Sequence, residues 1–539
     1  MKNKKAYYGI HLLLIAGVFV FSVGCKNNME KKDSKEIAAN EISAEEQLYR
    51  PNFHFTPKAN WMNDPNGMFY LNGTYHLYYQ YYPDGNVWGP MHWGHATSTN
   101  MIAWEEQPIA IYPDDLGLIF SGSAVVDVNN TSGFGKDGIV PIVAMYTYHN
   151  MKGEQAGELD FQTQAIAYSL DEGMTWVKYD KNPVIPNSGI KDFRDPKVIW
   201  DVDHSKWIMT LAAGDKVLFY SSLNLRDWIL ESSFGAAFGQ HDGMWECPDL
   251  FPIKVSGQDE TKWVLLVSIN PAAPNGGSGT QYFVGDFDGQ KFTLDTDFKQ
   301  QLQQDSAVWL DYGRDNYAGV TWSNIPKKDG RKLFIGWMSN WEYARDVPTE
   351  TWRSAMTIPR ELKLKKNEKE FVLSSAPVTE LSKYVSKTIV KETLTVNNQK
   401  TIITKSEIDL SRVRIQLEMN HLKSDKYDFT FQNSFGDRLS FGIDNIKKQY
   451  YLNRQNSGKV TFSDKFANTI SKAPIKNPSN MLKIEVLVDK TSIEVFYNDG
   501  ETIMTEIFFP NESFEAFSIN TSDAALILEN IKIEEFQLN

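Results

Sequence analysis

"SLNLRDW", residues 222–228, is one of four stretches in which a polar turn is followed at once by an aromatic residue. The others are "STNMIAW" (98–104), "SLDEGMTW" (169–176) and "FDGQKF" (287–292). Their aromatic residues stand at positions 104, 176, 228 and 292, which are 72, 52 and 64 positions apart. Such intervals are typical of a four-stranded propeller blade with long loops and predict about five blades between residues 51 and 352. Unrelated hairpins in a large sandwich are the alternative.

The segments between these turns are typical of strands. Short apolar and aromatic runs, such as "GTYHLYYQYY", "KWIMTLAAG" and "KWVLLVSI", alternate with clusters of Gly, Asn, Asp and Pro. No long helical periodicity follows residue 48, so the predicted class is all-β. We therefore predict a five-bladed β-propeller as the catalytic domain, over residues 49–360.

The composition changes after residue 352, because Trp does not occur again and Lys becomes common. Residues 361–385 are predicted to be a linker. The remainder, residues 386–539, contains period-two strands such as "VRIQLEM" and "LKIEVLVDKTSIEVFYNDGE", which predict a β-sandwich. A sandwich in this position either braces the first domain or binds sugar, and bracing is the simpler expectation.

The N-terminus has the pattern of an export signal, in which lysines precede an apolar run that ends in "SVGC". Gly24 before Cys25 resembles a bacterial lipobox, so residues 1–25 are predicted to be a lipoprotein signal ending at a lipidated Cys25. A conventional cleaved signal is the alternative. The polar residues 26–48 are predicted to be a flexible tether. These features predict a lipoprotein of the cell envelope, at the outer membrane, the cell surface or the periplasmic face, held to the membrane by its lipid anchor alone.

The charge of the chain limits the class of partner. A formal net charge of −13 over 539 residues, with no sustained Lys or Arg stripe, argues against a nucleic-acid partner. A neutral substrate fits this charge better. The 15 Trp, 24 Tyr and 31 Phe suit both a β-rich fold and stacking on sugar faces, so their number does not choose between the two.

Three short stretches place an acid among turn-forming or aromatic residues: "WMNDPNG" with Asp64, "DFRDPKV" with Asp195 and "MWECPDLF" with Glu246. Each alone is most simply a turn, a salt bridge or a surface residue. In a propeller, however, equivalent positions on the innermost strands converge on the central channel. Three converging acids suit glycoside hydrolysis, which uses one carboxylate as nucleophile or base and another as proton donor.

The surroundings of each acid suggest its role. Glu246 lies in an apolar run, which favours its protonated form and suits a proton donor. Asp64 is predicted to lie in a turn rich in backbone N–H groups, which favours its charged, nucleophilic form. Arg194 beside Asp195 favours the charged form of that acid as well.

These three motifs, together with "GHATS", "FSGSAV" and "GTQYFVGDFDG", resemble the β-fructofuranosidases of glycoside hydrolase family 32: invertases, inulinases and levanases. The similarity extends from Arg50 to the C-terminus. It implies a five-bladed propeller followed by a sandwich and a retaining double displacement. It also implies that Asp64 is the nucleophile, Glu246 the acid/base and Asp195 the transition-state stabiliser, with the Asp64 and Glu246 carboxyl groups about 5 Å apart.

The resemblance also implies a set of substrate-binding residues, of which six form the wall of the subsite for the terminal fructose: Asn63, Gln80, Trp88, Phe120, Ser121 and Arg194. Trp61 is a further substrate-binding candidate, and Trp337 is a candidate for stacking on a sugar. Trp341 is a further candidate for stacking on a sugar. Asp249 either tunes Glu246 or makes a structural hydrogen bond. No His or Cys cluster has ligand spacing, so we predict no metal and no cofactor.

The predicted function is release of fructose from β-fructans, levan or inulin, and from sucrose, through a covalent fructosyl-enzyme. An endo-acting levanase, a fructosyltransferase and a non-catalytic fructan-binding lipoprotein are the alternatives. Exo cleavage is favoured because Trp88 and Phe120 occupy positions that, in exo enzymes of this family, close the pocket behind a chain end. Nothing in the sequence indicates whether the protein forms an oligomer.

Overall fold

The computed structural model describes residues 48–538 except 369, 421, 477–478 and 523. The predicted signal with Cys25, and residues 26–47 of the predicted tether, lie outside the described residues. Within the described part of the chain, no helix is both long and apolar enough to cross a bilayer. Strands are the main regular structure of the described residues and helices are few and short, which confirms the all-β prediction.

The first domain consists of successive antiparallel sheets, each built from strands that follow one another in the chain. The first sheet contains β1 (Asn60–Leu71), β2 (Thr74–Tyr82), β3 (His92–Ser98) and β4 (Glu105–Ile111). The second contains β5 (Leu118–Val126), β6 (Ile142–His149), β7 (Gln162–Ser169) and β8 (Val177–Lys178). The third contains β9 (Phe193–Asp201), β10 (Lys206–Ala213), β11 (Val217–Ser222) and β12 (Ile229–Phe234). The fourth contains β13 (Met244–Lys254), β14 (Thr261–Asn270), β15 (Gly279–Phe287) and β16 (Phe292–Leu294).

The fifth sheet is less regular. It contains β17 (Tyr317–Thr321), β18 (Lys332–Met338), β20 (Ala355–Met356), β21 (Arg360–Asn367) and β22 (Glu370–Pro377). The short strand β19 (Trp352–Arg353) lies between β18 and β20 in the chain but pairs with β1, in parallel. Sheets one and five are thereby joined by backbone hydrogen bonds.

The repeated turn-and-aromatic motif lies at the same place in each of the first four sheets. Trp104, Trp176 and Trp228 each stand just before the fourth strand of a sheet, and Phe292 begins a fourth strand. The polar turn therefore connects strands three and four in each of the first four sheets. The aromatic side chain follows this turn because it packs where the outer strand starts.

The first strands of the sheets are in mutual contact. β1 contacts β5, β5 contacts β9, β9 contacts β13, β13 contacts β17, and β17 contacts β1 again. This closed cycle gathers residues from distant parts of the chain around a common centre.

The predicted linker, residues 361–385, is corrected by the structure. Most of it forms β21 and β22, which pair with each other and with β18. A short 3-10 helix, Thr379–Tyr384, then leads into the second domain. The high Lys content suggested a linker, but these lysines occupy the solvent face of a strand whose alternate residues, such as Leu362 and Leu364, are buried.

The second domain is a sandwich of two six-stranded sheets within residues 385–536. One sheet contains β23 (Val385–Val396), β25 (Val413–Asn420), β30 (Met481–Asp489), β31 (Ser492–Tyr497), β32 (Thr502–Ile507) and β34 (Leu526–Phe536). The other contains β24 (Gln399–Thr404), β26 (Lys426–Gln432), β27 (Arg438–Asp444), β28 (Gln449–Asn456), β29 (Ser471–Pro474) and β33 (Ala516–Thr521). Alternate apolar residues of both sheets fill one core between them.

Two short helices interrupt the strands of the first domain, α1 (Met151–Gln155) and α2 (Thr296–Asp305). Each begins with a side-chain cap, because Asn150 accepts from the N–H of Gly153 and Asp295 from the N–H of Asp297. Both lie outside the central cycle of strands.

The two domains share an apolar core. Leu487, Phe496 and Ile503 of the sandwich belong to the same buried cluster as Trp61 and Trp337 of the first domain. Burial of large side chains on both sides makes this interface part of the fold, rather than a flexible junction.

Candidate active site

Each of the five first strands carries the same irregularity. The first strand of each sheet pairs with the second strand, and at one place in each pair the first strand advances by three residues while the second advances by two. The first strand therefore has one extra residue there, which is a β-bulge. The bulges lie between Met62 and Pro65, Ile119 and Gly122, Arg194 and Lys197, Glu246 and Asp249, and Tyr317 and Val320. Because a bulge turns a side chain out of the regular alternation, these five positions can all point toward the centre.

The "WMNDPNG" stretch is not a turn, and this prediction was wrong. Residues 60–71 form β1, and the irregular composition is accommodated by the bulge between Met62 and Pro65 and by a second one between Asn66 and Phe69. Pro65 has no N–H to donate and is tolerated at a bulge. Gly67 has φ = +52° and its Cα approaches the ring of Trp93, so that an added Cβ would lie 2.6 Å from it.

Asp64 lies at the first bulge and is half-buried. Its Oδ2 accepts a hydrogen bond of 2.7 Å from the Ser121 hydroxyl, and its Oδ1 accepts one of 2.9 Å from the Asn63 side-chain amide. Asn63 in turn accepts from the Trp61 indole N–H at 2.7 Å. The carboxylate is thus held by side chains from the first and second sheets.

Asp195 lies at the third bulge, with φ = +67°. Its backbone N–H donates to the Thr147 hydroxyl at 3.1 Å, and its Oδ2 accepts from the Cys247 backbone N–H at 3.0 Å. The side chain is buried. A left-handed backbone conformation is tolerated by Asp better than by most residues, and here it directs the carboxylate at the fourth sheet.

Glu246 begins the fourth bulge and receives three donors. Arg194 donates from Nε and Nη2 to Glu246 Oε1 at 3.1 and 2.9 Å. The Tyr317 hydroxyl donates to Glu246 Oε2. With a guanidinium and a phenol as donors, the surroundings of Glu246 are more polar than its apolar sequence neighbours suggested.

Cys247 connects the three acids. Its Sγ lies 3.7 Å from Asp64 Oδ2 and 3.6 Å from Asp195 Oδ2, and its own chain neighbour is Glu246. Burial raises the pKa of the Cys247 thiol well above its ordinary value, so the group is a neutral S–H donor. The three predicted acids are therefore brought together, as the sequence analysis expected of a propeller centre.

The electrostatics of Asp64 and Asp195 differ from the sequence prediction. Burial raises the pKa of Asp64, with the charge of Glu246 adding to it, and the donors Asn63 and Ser121 only oppose this. Burial likewise raises the pKa of Asp195 to about 7, against the opposing effect of Arg194 and with the charges of Glu246 and Asp64 adding to it. The sequence shows a neighbouring Arg but not the desolvation, which is larger here.

Two predicted wall residues form an aromatic edge. Trp88 and Phe120 are both half-buried and meet edge to face, with centroids 6.1 Å apart. Phe120 also stacks on His149 at 4.2 Å. Arg345 lies over both Trp88 and Trp341, with its guanidinium carbon 6.0 and 5.7 Å from their ring centroids. These rings keep accessible surface, as a sugar-binding wall requires.

Trp61 and Trp337 do not have such surface. Both are 0% exposed and pack on each other at 6.1 Å, beneath the half-buried Trp341. They support the site from below, and the expectation that Trp337 offers a stacking face is not met in this structure. Gln80 is also buried, and its side chain donates to the Asn66 amide oxygen at 2.8 Å.

Asp249 has a structural partner. Its Oδ2 accepts from the backbone N–H and the hydroxyl of Thr321 at 2.6 and 2.8 Å, and Lys197 lies 3.6 Å away. Of the two readings that the sequence allowed, the structure supports the hydrogen bond to a neighbouring strand.

Tyr317 and Cys247 are site residues that the sequence analysis missed. Tyr317 occupies the same place in the fifth bulge as Arg194 and Glu246 do in the third and fourth. Aligning the first strands of all five repeats would have identified Tyr317. The polar-turn motif marks only the first four sheets, so the sequence analysis had no motif from which to align the fifth first strand.

Among the described residues, no group of three or more His, Cys, Asp and Glu side chains has the arrangement of a metal site. The prediction that the reaction uses no metal stays a prediction.

Comparison with known proteins identifies the family. Residues 54–375 match the N-terminal domain model of glycosyl hydrolases family 32, and residues 380–535 match the C-terminal model of the same family. The chain belongs to glycosyl hydrolase family 32. The resemblance found in the three acid motifs is thereby confirmed, and the chain is a glycoside hydrolase with a propeller-like first domain and a β-sandwich.

Named relatives cover most of this family 32 chain. A levanase of Bacillus subtilis is 45% identical over 487 residues, which are 90% of this chain and 70% of that protein. An extracellular exo-inulinase of Aspergillus niger is 40% identical over 514 residues, which are 91% of this chain and 94% of that protein. The crystal structure of exo-inulinase from Aspergillus awamori has a TM-score of 0.81 and 37% identity, and covers 92% of this chain and 99% of its own.

Proposed function

We propose that this protein is a retaining exo-acting β-fructosidase that releases fructose from β-fructans, levan or inulin, and from sucrose. The observation that carries the proposal is the convergence of Asp64, Asp195 and Glu246 around Cys247 at the centre of five first strands. The relatives named levanase and exo-inulinase support the substrate class. Hydrolysis of a glycosidic bond by this mechanism needs two carboxyl groups, and here a third acid lies beside them.

Asp64 is proposed as the nucleophile. Its carboxylate oxygen forms a bond to the anomeric carbon of the fructosyl unit while the bond from that carbon to the leaving oxygen breaks. Hydrogen bonds from Ser121 and Asn63 hold the carboxylate in one orientation, so little ordering is needed when substrate binds. In the second step water displaces Asp64 from the same carbon and restores the free carboxylate.

Glu246 is proposed as the acid and then the base. It gives a proton to the leaving oxygen in the first step and takes one from the attacking water in the second. The raised pKa values of Asp64 and Asp195 allow the group of three acids to hold a proton near neutral pH, and the proton belongs to the group rather than to one residue. On this mechanism the Asp64 and Glu246 carboxyl groups are about 5 Å apart.

Asp195 and Arg194 are proposed to bind fructosyl hydroxyls and to stabilise the positive charge that develops on the ring. Arg194 is fixed by Asp192 at 2.8 Å on one side and by Glu246 on the other. Asn63, Gln80, Ser121, Trp61 and Trp337 are proposed to shape or support the same subsite. Trp88 and Phe120 are proposed to close the pocket behind a chain end, which favours exo cleavage.

The remaining structural and cellular assignments are also proposals. The five sheets whose first strands form a closed cycle are proposed as the blades of a five-bladed propeller, with a domain boundary at residues 378–384. A lipid anchor on Cys25 and a position in the cell envelope remain proposals from the sequence. The extracellular relative supports an exported enzyme.

Product analysis on levan, inulin and sucrose tests the proposal. We expect fructose as the sole early product from both polymers and retention of configuration at the anomeric carbon. A ladder of oligosaccharides would indicate endo action, transfer products would indicate a fructosyltransferase, and binding without turnover would indicate a fructan-binding protein.

Variants test the assigned roles. Asp64→Ala and Glu246→Gln are each expected to lower kcat by at least about 1,000-fold, because each removes a group that reacts in the rate-limiting bond change. Asp203→Asn, on an exposed turn, is the control and should keep full activity. Wild-type turnover in either variant would contradict the role given to that residue.

A further inference from the structure

The outer face of the second sandwich sheet carries a polar cleft of about 560 Å³. Strands β26, β27, β28 and β29 form its floor, and its side chains belong to the face opposite the sandwich core. The cleft lies outside the site described above and has no assigned role.

One cross-strand row explains why a depression forms here. Asp428, Gly442, Tyr451 and Lys472 lie side by side on the four strands. Gly442, in the middle of the row, has no side chain to fill the outer face. A Cβ at this position would lie 1.9 Å from the Tyr427 carbonyl oxygen and 2.9 Å from the Tyr451 hydroxyl, so no other residue fits.

Tyr451 fills the gap above Gly442. Its hydroxyl crosses β27 and donates to Asp428 Oδ1 at 2.6 Å and to the Tyr427 carbonyl at 3.2 Å. The ring therefore lies along the floor of the cleft, rather than standing up from the sheet. Tyr451 is only 5% exposed, so its ring offers a surface for the apolar face of a sugar only when the side chain above it moves away.

Lys426 occupies the position above this ring, with its ammonium group 4.7 Å from the ring centroid. Lys426 is an exposed side chain, so the ammonium group can move into water and leave the ring to a ligand. The amide side chains of Gln449 and Gln455 line the same cleft and supply donors and acceptors for hydroxyl groups.

Two acids and four cations line the cleft. Asp428 pairs with Arg438 at 2.6 Å, and Asp444 lies 3.5 Å from Lys447. Both acids thus have a cation beside them, and Asp428 is further fixed by the Tyr451 hydroxyl. Lys426 and Lys472 make the cleft net positive, and its amide and hydroxyl side chains supply hydrogen-bond partners for a hydroxyl-rich molecule.

The cleft is connected to the active site by one loop, residues 271–278. At one end β14 pairs with β13, so that Ser268 lies opposite Glu246 and Asn270 opposite Met244. At the other end Asn275 binds both backbone groups of Lys472, at 3.0 and 2.9 Å. The five residue-to-residue steps from Asn270 to Asn275 span at most about 18 Å. The rim of the cleft is therefore close to the side of the pocket on which Glu246 protonates the leaving group.

We propose that this cleft is a second carbohydrate-binding site, which holds a distal part of a fructan chain whose end is in the active site. The inference rests on the proposed function for the nature of the polymer. The site increases the effective concentration of polymer ends at the pocket and has no effect on a disaccharide, which is too short to reach it.

The test compares polymer with disaccharide in the full chain. Gln449→Ala combined with Gln455→Ala removes two amides from the cleft, and Asn397→Ala combined with Gln399→Ala removes two exposed amides elsewhere on the sandwich as the matched control. We expect the cleft variant to raise KM for long-chain fructan about 5- to 10-fold and to leave kcat/KM for sucrose unchanged. The control should change neither.

A direct binding measurement separates this proposal from the proposed function. Affinity for soluble high-molecular-weight levan and inulin is measured with the Glu246→Gln chain, with and without the cleft substitutions. Weaker binding only in the cleft variant supports the site even where the parent enzyme hydrolyses neither polymer. Equal affinity of the Glu246→Gln chain with and without the cleft substitutions overturns the proposed site. The proposal is also overturned if the cleft substitutions change self-association, measured by sedimentation, while the affinity for polymer stays the same.

Discussion

At the scale of single residues, the candidate active site is described by the hydrogen bonds that its three acids accept. Glu246 has no free oxygen in this structure, because Arg194 donates to one and Tyr317 to the other. Burial raises the pKa of the Tyr317 phenol well above its ordinary value, so Tyr317 is a permanent donor. It acts through Glu246 and is therefore a positioning residue.

Replacing Tyr317 by Phe tests this role. Loss of one hydrogen bond to a charged group should lower kcat roughly 10- to 100-fold. It should also change the pH profile of kcat/KM, because Tyr317 contacts the carboxyl group that is proposed to exchange the proton. Tyr220→Phe, at a hydroxyl in the third sheet, is the control. An unchanged pH profile would show that Tyr317 only fills space.

The raised pKa of Asp195 has a consequence for stability. Its pKa of about 7 in the folded chain lies above the value of 3.8 for a free side chain. The folded protein therefore binds an extra proton between these values, and the free energy of unfolding falls as the pH rises through this window.

Asp195→Asn removes the cost of burying this charge. We expect the variant to be inactive and yet more stable than the parent at pH 8, on the order of 1–3 kcal/mol by denaturant unfolding. Well below pH 3.8, where Asp195 is protonated in both the folded and the unfolded chain, the difference should disappear. A variant that is less stable at pH 8 would show that the carboxylate contributes to folding.

At the scale of elements, the bulges of the first strands hold the three acids that we propose as catalytic. Regular strands would alternate their side chains between neighbouring sheets, whereas the extra residue turns Asp64, Asp195 and Glu246 toward a common centre. Cys247 has φ = +46° in the fourth bulge and Ala318 has φ = +53° in the fifth. These left-handed positions restrict which residues the bulge can hold.

Cys247→Val tests this restriction, since a β-branched residue tolerates positive φ poorly. Relative to Cys247→Ala, which removes the thiol without branching, we expect Val to lower the free energy of unfolding by about 1–3 kcal/mol. Urea unfolding of the two variants gives the comparison. Equal stability of the Ala and Val variants would mean that the bulge backbone relaxes to another conformation.

At the scale of the whole molecule, buried charges join the two domains. His54, just before β1, contacts Asp489 at 2.9 Å and Glu494 at 2.7 Å, both in the sandwich. Arg360, at the start of β21, also binds Glu494 and lies 3.1 Å from Asp311. All these side chains are almost fully buried, so the network depends on every partner being present.

The network predicts a pH dependence of stability. Burial lowers the pKa of His54, but the hydrogen bonds and charges of Asp489 and Glu494 outweigh it and raise the pKa to about 9. A raised pKa means that the stabilisation is complete below the ordinary value of 6.5 and is lost as the pH rises through 9. Burial raises the pKa of Glu494, but Arg360 and His54 hold it at about 2, so its contribution is lost only as the pH falls through 2.

Glu494→Gln should therefore lower the free energy of unfolding at pH 7 by about 3–5 kcal/mol, because His54 and Arg360 lose their shared carboxylate. It should also flatten the decline of stability between pH 6.5 and 9. Glu501→Gln, which breaks the more exposed pair with Lys365, is the control and should cost less than about 1 kcal/mol. Similar losses in both variants would contradict a special role for the buried network.

The sequence by itself determined the class of fold and the three acids. Period-two strands, a repeated turn before each fourth strand, and acids within unusual motifs are all local signals, so they can be read along the chain. The same locality explains the errors. "WMNDPNG" has the residues of a turn and lies in a strand, and the lysines of β21 suggested a linker because its pairing with β18 lies outside the segment.

Only the tertiary structure decided what surrounds each acid. Burial of Asp64 and Asp195, the hydroxyl of Tyr317 on Glu246 and the contact of Cys247 with two acids all depend on strands from different sheets. Desolvation is a property of everything packed around a group, most of it distant in sequence. For that reason the sequence motifs predicted which acids come together, and the packing of the sheets decided how their protons and charges are held.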